Sequence, residues 1–395
     1  MRRLLIFLAL AILMLGPQTQ VRAQSGTIQV TDVNVDFFFG DHVTILANIQ
    51  PAAEVKEALI TFQINGEATG PRTIPLQVGN DGSTAYQFPV QDAALRPFAR
   101  IHFQFTVTLN SGETFTSVQY YFDYYDNRIA WRTTENGEVS VHWYDGDDAF
   151  GQGALDTTTT SLQSLAALIP VKISGLVNVY IYASSADLQS AIGGQSWIAG
   201  HASPDLGVVL VSIAPGEDEM LVMRRQIPHE MAHVLLYQYA GAGYNQLPTW
   251  LNEGIASLAE LYPNGDYQTA VQTAGMNNSL LPLTNLCGPF PADASSAFLA
   301  YAESDRVTRY IQSTYGTSNL QALVLAYANG LGCEQGTQRA LGISLSQLDL
   351  RWRQAELGGQ ASWVAFQNLL PYLIVMLILL IVPAWGIGAM PKFRK

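Results

Sequence analysis

Charge and cysteine are both scarce in this chain. Only 13% of its 395 residues are charged, and the 20 basic residues are outnumbered by 32 acidic ones. Because nucleic-acid phosphates demand a basic protein face, this deficit of Lys and Arg argues against a nucleic-acid partner. Hydrophobic residues make up 48% of the chain, which is far more than a disordered protein carries. The sequence therefore predicts a folded protein, long enough for two domains.

The two cysteines, Cys287 and Cys333, are too few and too isolated for a zinc site built from thiolates. Such a site needs further thiols or histidines close by in sequence, and neither cysteine has one. In an exported chain an even number of cysteines permits a disulfide between them. Two unpaired, buried thiols are the alternative.

Residues 1–23 are typical of a secretory signal peptide. Arg2 and Arg3 precede an unbroken apolar run from Leu4 to Leu15, and small residues follow near Ala23. The run is short for a membrane span, which needs about 20 residues. A short N-terminal anchor is the alternative interpretation.

The C-terminal end predicts a single transmembrane helix at 366–390. No charged residue occurs between Leu369 and Met390, and this length can cross a hydrocarbon core roughly 30 Å thick. The basic tail at 391–395 is expected on the cytoplasmic side. We therefore expect a single-pass protein of the cell membrane with an extracytoplasmic N-terminal ectodomain and a cytoplasmic C-terminus.

Between these segments the sequence predicts two domains. Residues 24–126 alternate short β-type runs with turn signals such as Asn65-Gly66, which predicts an all-β sandwich resembling immunoglobulin or fibronectin type III modules. Residues 127–362 place strands first and helices afterwards, which is typical of an α+β domain. Its helices include one near Thr158–Leu168 and one from Glu217 to about Tyr239.

The second of these helices contains a His-Glu-x-x-His motif. His229 and His233 are four residues apart, so both imidazoles project from one helical face and can bind one cation. Glu230 lies beside them, in a position to accept a proton from water. Pro228 is unfavourable within a helix and is also compatible with a helix that begins at that turn. The alternative is a buried helix with two incidental histidines.

A second motif, Trp-Leu-Asn-Glu-Gly-Ile-Ala-Ser at 250–257, contains Glu253. Nineteen residues separate His233 from Glu253, which leaves room for a loop and the start of another helix. Glu253 can therefore complete a set of three metal ligands. A surface carboxylate on a helix is the alternative.

Together the two motifs resemble those of the gluzincin zinc metallopeptidases. The spacing between the two motifs is similar to that of thermolysin. The amino-acid sequence of the second motif is similar to that of the aminopeptidase N family. Residues 130–355 as a whole resemble bacterial peptidase MA-like domains. The resemblance implies a zincin-like catalytic domain that acts on peptides or proteins. It assigns His229, His233 and Glu253 as ligands of Zn²⁺ and Glu230 as the general base that assists attack by zinc-bound water.

Two departures from these families concern the surroundings of the metal. Ser257 stands where thermolysin-like enzymes have an aspartate that orients a ligand histidine, so we expect another group, such as a backbone carbonyl, to do this. The Gly-x-Met-Glu-Asn strand of aminopeptidase N relatives is missing upstream of His229. This absence favours an endopeptidase over an aminopeptidase.

The resemblance also implies a tyrosine or histidine that donates to the developing oxyanion. Tyr301 and Tyr310 are the candidates, and we favour Tyr301 because peptidase MA-like domains have a tyrosine at that point. A packed tyrosine with its hydroxyl at the surface is the alternative. For His201 we expect a solvated loop rather than a place in the cleft.

The sequence thus predicts a membrane-anchored, extracellular, zinc-dependent peptidase. The alternative is a catalytically inactive zinc-binding protein that serves in recognition at the cell surface. Glu230 argues against that alternative, because a binding protein has no need of a general base.

Overall fold

A computed structural model of the chain describes residues 28–64, 71–90, 95–193 and 200–388, with only the backbone described at 64, 359–368 and 377–388. The chain divides into two compact units, one ending at Tyr125 and one beginning at Asp126. This division lies beside the domain boundary predicted at 126–127. The predicted signal peptide at 1–23 and the basic tail at 391–395 lie outside the described residues.

The first unit is a sandwich of antiparallel sheets. One sheet has the order β1-β2-β5 and the other β4-β3-β6-β7, with β8 also paired to β6. Every second residue of β6 is buried, as expected for strands that cover a core on one face. The rings of Phe62 on β3 and Phe88 on β5 lie 5.5 Å apart between the two sheets. The predicted β-rich N-terminal region is confirmed.

The strands of this unit are β1 (Gln29–Phe38), β2 (His42–Gln50), β3 (Val55–Ile64), β4 (Arg72–Leu76), β5 (Ser83–Pro89), β6 (Arg100–Leu109), β7 (Thr114–Thr116) and β8 (Tyr120–Asp123).

The second unit contains a mixed sheet with the order β12-β13-β11-β10-β9. Strands β10, β11 and β13 run parallel, whereas β9 and β12 are antiparallel to their neighbours at the two edges. The inner strands are almost fully buried. This agrees with their nearly continuous apolar sequences, which are typical of parallel strands that are covered on both faces. The strands are β9 (Arg132–Glu135), β10 (Val139–Trp143), β11 (Val177–Tyr182), β12 (Gly200–Ser203) and β13 (Val208–Ser212).

In chain order, the first described helices of this unit alternate with its strands, and the others follow the last strand. Helix α3 contacts β12 and β13, and α4 packs against both α3 and α6. The helices are α1 (Asp148–Leu168), α2 (Ser185–Ile192), α3 (Glu219–Ala240), α4 (Thr249–Ala259), α5 (Asp266–Met276), α6 (Ala294–Tyr315), α7 (Thr317–Ala328), α8 (Cys333–Leu341) and α9 (Leu345–Gly388). The strands and helices together give the α+β architecture that was predicted.

Helix α1 differs from its sequence-based expectation at its start, whereas helix α3 agrees with the prediction. Helix α1 begins ten residues earlier than predicted because the side chain of Asp147 caps it by accepting a hydrogen bond from the Phe150 amide at 3.0 Å. Helix α3, Glu219–Ala240, confirms the helix predicted from Glu217 to about Tyr239 and continues through Pro228, so the alternative of a helix that begins at this proline is wrong.

Cys287 and Cys333 are joined in a disulfide, 46 residues apart in sequence. The Cys287 carbonyl accepts a hydrogen bond from the Thr249 amide at 3.3 Å, so the cross-link holds the segment against which α4 begins. Closing a loop of this length stabilises a fold by about 4 kcal/mol in the chain-entropy treatment.

Within the part of the chain that the structure describes, no helix has both the length and the apolar character needed to cross a membrane. The transmembrane helix at 366–390 therefore stays a prediction.

Candidate metal centre

Helices α3 and α4 bring His229, His233 and Glu253 together. The Oε2 atom of Glu253 lies 3.3 Å from His229 Nε2 and 3.6 Å from His233 Nε2. One ligand atom from each residue falls within 4.8 Å of the others. The motif spacing achieves this because residues 229 and 233 occupy one face of α3, and α4 packs on that face.

The donor set and its geometry fit a zinc ion. Zinc binds imidazole nitrogen and carboxylate oxygen at about 2.0–2.2 Å in a tetrahedral arrangement, so two of its ligand atoms lie roughly 3.3–3.6 Å apart. The two separations from Glu253 have these values. Three protein ligands is also the number found in catalytic zinc sites, whereas structural sites close with four.

The other ring nitrogen of each histidine is held by a side chain from α4 or its end. His229 Nδ1 donates to Glu260 Oε1 at 3.2 Å, and His233 Nδ1 donates to Asn252 Oδ1 at 3.2 Å. Asn252 is held in turn, because its Nδ2 donates to the Tyr244 hydroxyl at 3.1 Å. These bonds fix the tautomer that leaves both Nε2 atoms able to bind a metal.

The expected backbone carbonyl is therefore replaced by Glu260 and Asn252. The Ser257 hydroxyl does not take the missing aspartate's role, since it is buried without a hydrogen-bond partner among the described residues. Glu260 is the first residue after α4, where an extended backbone turns its side chain back toward α3. Neither residue was singled out from the sequence, although Asn252 stands directly before Glu253.

Pro228 fixes the position of Glu260 through the backbone. A proline at this point leaves the Arg224 carbonyl, four residues earlier, without its helical donor. That carbonyl instead accepts hydrogen bonds from the amides of Leu261 at 2.9 Å and Tyr262 at 3.2 Å. The segment after α4 is thus fastened to α3 one residue beyond Glu260.

The charges of the three ligands are strongly coupled. Burial lowers the pKa of His229, but hydrogen bonds to Glu253 and Glu260 outweigh it and raise that pKa well above its ordinary value. Burial likewise lowers the pKa of His233, and the charge of Glu253 more than reverses this. Burial raises the pKa of Glu253, but the two histidines together bring it below its usual range. Because zinc needs neutral imidazoles, it must displace protons from this cluster to bind.

Glu230 lies buried beside the three ligands, where it faces the cleft. Burial raises its pKa, and the charges of His229 and His233 oppose the rise. Its carboxylate packs against the backbone of β12 at Gly200. A β-carbon at position 200 would overlap Glu230 Oε1 and lie 3.0 Å from Cδ. Glycine is therefore required there for Glu230 to keep its place.

Two cavities meet at this centre, one of about 770 Å³ and one of about 330 Å³. Tyr301 lines both of them, as do Gly200, His229 and Glu230. Its ring lies 6.5 Å from that of His229, centre to centre, and burial raises its pKa above the ordinary value.

The other two side chains considered from the sequence are placed differently. Tyr310 packs near Tyr315 at 6.3 Å and lines neither of the two cavities. His201 is exposed, as expected, but it lies on β12 instead of a loop and also lines the smaller cavity.

We expect Glu260→Leu to weaken zinc binding about 10- to 100-fold, because His229 would lose the carboxylate that orients it. Glu260→Gln should weaken it less, since an amide oxygen can still accept from Nδ1. Competition with a chelator measures both affinities, and Glu217→Leu, which removes an exposed carboxylate before α3, is the control. An unchanged affinity in Glu260→Leu would contradict the orienting role.

Replacement of Pro228 should loosen the segment after α4. In Pro228→Ala a new amide competes for the Arg224 carbonyl, so the Leu261 and Tyr262 amides should exchange with solvent about 3- to 10-fold faster. Hydrogen exchange followed by NMR measures this, and Met220→Ala in the first turn of α3 is the control. Equal exchange rates in Pro228→Ala and the unaltered protein would show that the proline does not help to hold the segment after α4 in place.

A sequence profile of the Peptidase MA superfamily matches residues 157–357, which is half of the chain. No curated protein matches the chain. Among solved structures it is similar to an M1 zinc metallopeptidase from Deinococcus radiodurans, with 14% identity, 81% of this chain and 91% of that chain covered, and a TM-score of 0.40. It is also similar to a β-1,3-glucan-binding domain of carbohydrate-binding module family 56, with 14% identity, coverage of 24% and 98%, and a TM-score of 0.18.

The family match begins within α1 and ends within α9, so it includes every residue of the metal centre described above. It also includes the segment after α4 that positions Glu260. The chain belongs to the Peptidase MA superfamily.

Proposed function

We propose that the protein is a zinc-dependent peptidase in which His229, His233 and Glu253 bind the metal and Glu230 is the general base. The observation that carries this proposal is the position of Glu230. Its carboxylate is buried beside the three ligands, lies against Gly200 and lines both cavities. Ligands alone would support a zinc protein, whereas this fourth group supports hydrolysis.

Zinc bound at this centre would supply Lewis acidity and make water a stronger acid. Glu230 then accepts a proton from the attacking water and donates it to the leaving amine. Burial assists the first of these two transfers, because the raised pKa of Glu230 makes its carboxylate a stronger base toward the proton of water. Tyr301 donates a hydrogen bond from its hydroxyl to the developing oxyanion, and its raised pKa keeps that hydroxyl protonated.

The edge strand β12 provides a place for the substrate backbone. It forms one edge of the mixed sheet, and Gly200, His201 and Ala202 line the smaller cavity beside Glu230. An extended peptide can add to such an edge through main-chain hydrogen bonds. Strand β12, Gly200–Ser203, contains no carboxylate that could capture a substrate amine. This favours cleavage within a chain over removal of its first residue.

The expected alternative, an inactive zinc-binding protein, is less well supported. Burying an ionisable carboxylate is costly, and Glu230 is not needed as a metal ligand. A recognition protein would gain nothing from retaining it.

Glu230→Gln should lower kcat/KM on a peptide library by about 10²- to 10⁴-fold, because the amide cannot exchange the proton. The zinc content should stay unchanged, because the three ligands are intact. Peptide cleavage and metal analysis of the full chain measure the two quantities, and Glu217→Gln is the control for loss of a carboxylate.

The possible results separate the hypotheses. Zinc binding without cleavage by either protein would favour the recognition alternative. Cleavage that survives Glu230→Gln would show that this residue is not the base.

We also propose that the peptidase is attached to the cell membrane by the segment 366–390, after export directed by residues 1–23. This rests on the sequence, which has no charge from Leu369 to Met390 and ends in basic residues. The catalytic unit would then act outside the cytoplasm, where a disulfide such as Cys287–Cys333 is stable.

The full chain should remain in the membrane fraction after an alkaline wash, because an apolar helix leaves lipid only at high cost. A chain that ends at Ser362 should be released into the soluble fraction. Release of both chains would contradict the anchor.

A further inference from the structure

The larger cavity beside the metal centre has an arginine among its lining residues. Arg225 precedes His229 by four residues, so the two side chains share one face of α3. The mechanism proposed above makes no use of Arg225. Its position nevertheless brings a fixed positive charge to the space that the substrate must occupy.

Arg225 is held in place by Tyr262 and is not neutralised by a carboxylate. Its guanidinium carbon lies 5.6 Å above the centre of the Tyr262 ring, and its Nε donates to the Tyr262 carbonyl at 3.5 Å. Tyr262 is itself fastened to α3 through the Arg224 carbonyl. Among the described residues no carboxylate lies within ion-pair distance of Arg225, although Arg306, Arg309 and Arg353 each have one.

The cavity combines an aromatic wall with this charge. Tyr267 and Phe298 lie 5.4 Å apart, centre to centre, and line it together with Tyr301. A cavity of about 770 Å³ has room for a bulky side chain and the adjoining backbone. The aromatic surface favours an apolar substrate side chain, because burial of apolar area is favourable.

Two carboxylates also line the cavity, but neither of them pairs with Arg225. Glu230 and Glu260 also line it, but Glu260 is hydrogen-bonded to His229 and Glu230 lies against Gly200. Both would repel a substrate carboxylate that approached the metal side. A carboxylate is therefore expected at the Arg225 side, where the two terminal nitrogens of the guanidinium can pair with its two oxygens.

We propose that Arg225 binds a carboxylate of the peptide substrate while the aromatic wall receives a bulky apolar side chain. This rests on the proposed peptidase function and specifies its substrate class. The carboxylate belongs either to an Asp or Glu side chain or to the C-terminus of the peptide, and both present the same group to Arg225.

The test compares matched peptides on the zinc-loaded full chain. One series exchanges Glu for Gln at each position around the scissile bond, and the other exchanges a C-terminal acid for its amide. The unaltered protein should prefer the carboxylate member of one series. That series shows whether the carboxylate belongs to an acidic side chain or to the C-terminus of the peptide.

Arg225→Gln should lower kcat/KM about 10-fold on the preferred carboxylate peptide and leave its neutral partner nearly unchanged, since one charged hydrogen-bonded pair is lost. Arg225→Lys should retain part of the preference through its charge. Arg339→Gln is the matched control, because Arg339 is an exposed arginine on α8 and does not line the cavity.

Three results would overturn the proposal. The first is the absence of a carboxylate preference in the unaltered protein. The second is an equal loss of kcat/KM on both members of a pair in Arg225→Gln, and the third is the same selective loss in Arg339→Gln. Failure of the peptidase function has a different signature, which is that zinc-loaded protein cleaves no peptide. In that case binding of the same pairs to zinc-loaded Glu230→Gln protein still tests Arg225, and equal affinity for acid and amide would refute its role.

Discussion

The Arg224 carbonyl joins the two helices that form the metal centre. Pro228 deprives it of its helical donor, and the amides of Leu261 and Tyr262 replace that donor. Because Glu260 directly precedes these residues, the same contact directs its carboxylate to His229. It also places Tyr262 beneath Arg225. One backbone acceptor thus governs the orientation of a ligand, the path of the chain after α4 and one side of the larger cavity.

Close contacts at two glycines also fix the elements that surround the metal centre. A β-carbon at Gly254, next to Glu253, would lie 2.5 Å from the Ser304 carbonyl on α6, so glycine is needed for α4 to pack against the helix that carries Tyr301. Gly200 has the corresponding role between β12 and Glu230. Such tight packing holds the side chains of the centre in place, as preorganised sites require. The cost of burying these charged groups is offset by the pairing of each histidine with a carboxylate or an amide.

The sequence was informative wherever local spacing determines the outcome. The four-position spacing of His229 and His233, the apolar run in β13 and the Asn-Glu-Gly sequence around Glu253 are local features of the sequence. The structure brings the three ligands together as these features predict. The match to the Peptidase MA superfamily confirms the family resemblance at that level. Glu260 escaped notice because its role depends on where α4 ends and on what binds the Arg224 carbonyl. For Cys287 and Cys333 the spacing alone left both a disulfide and free thiols open.

The distances within the cluster fit a metal ion shared by the three ligands. Hydrogen bonds between a charged imidazole and a carboxylate are typically about 2.7–2.9 Å long. The Nε2 atoms of His229 and His233 lie 3.3 and 3.6 Å from Glu253 Oε2. The observed separations are instead those of ligand atoms that share one tetrahedral ion. The helices therefore hold the three side chains at the spacing that zinc requires, and the hydrogen bonds to Glu260 and Asn252 orient both histidine rings.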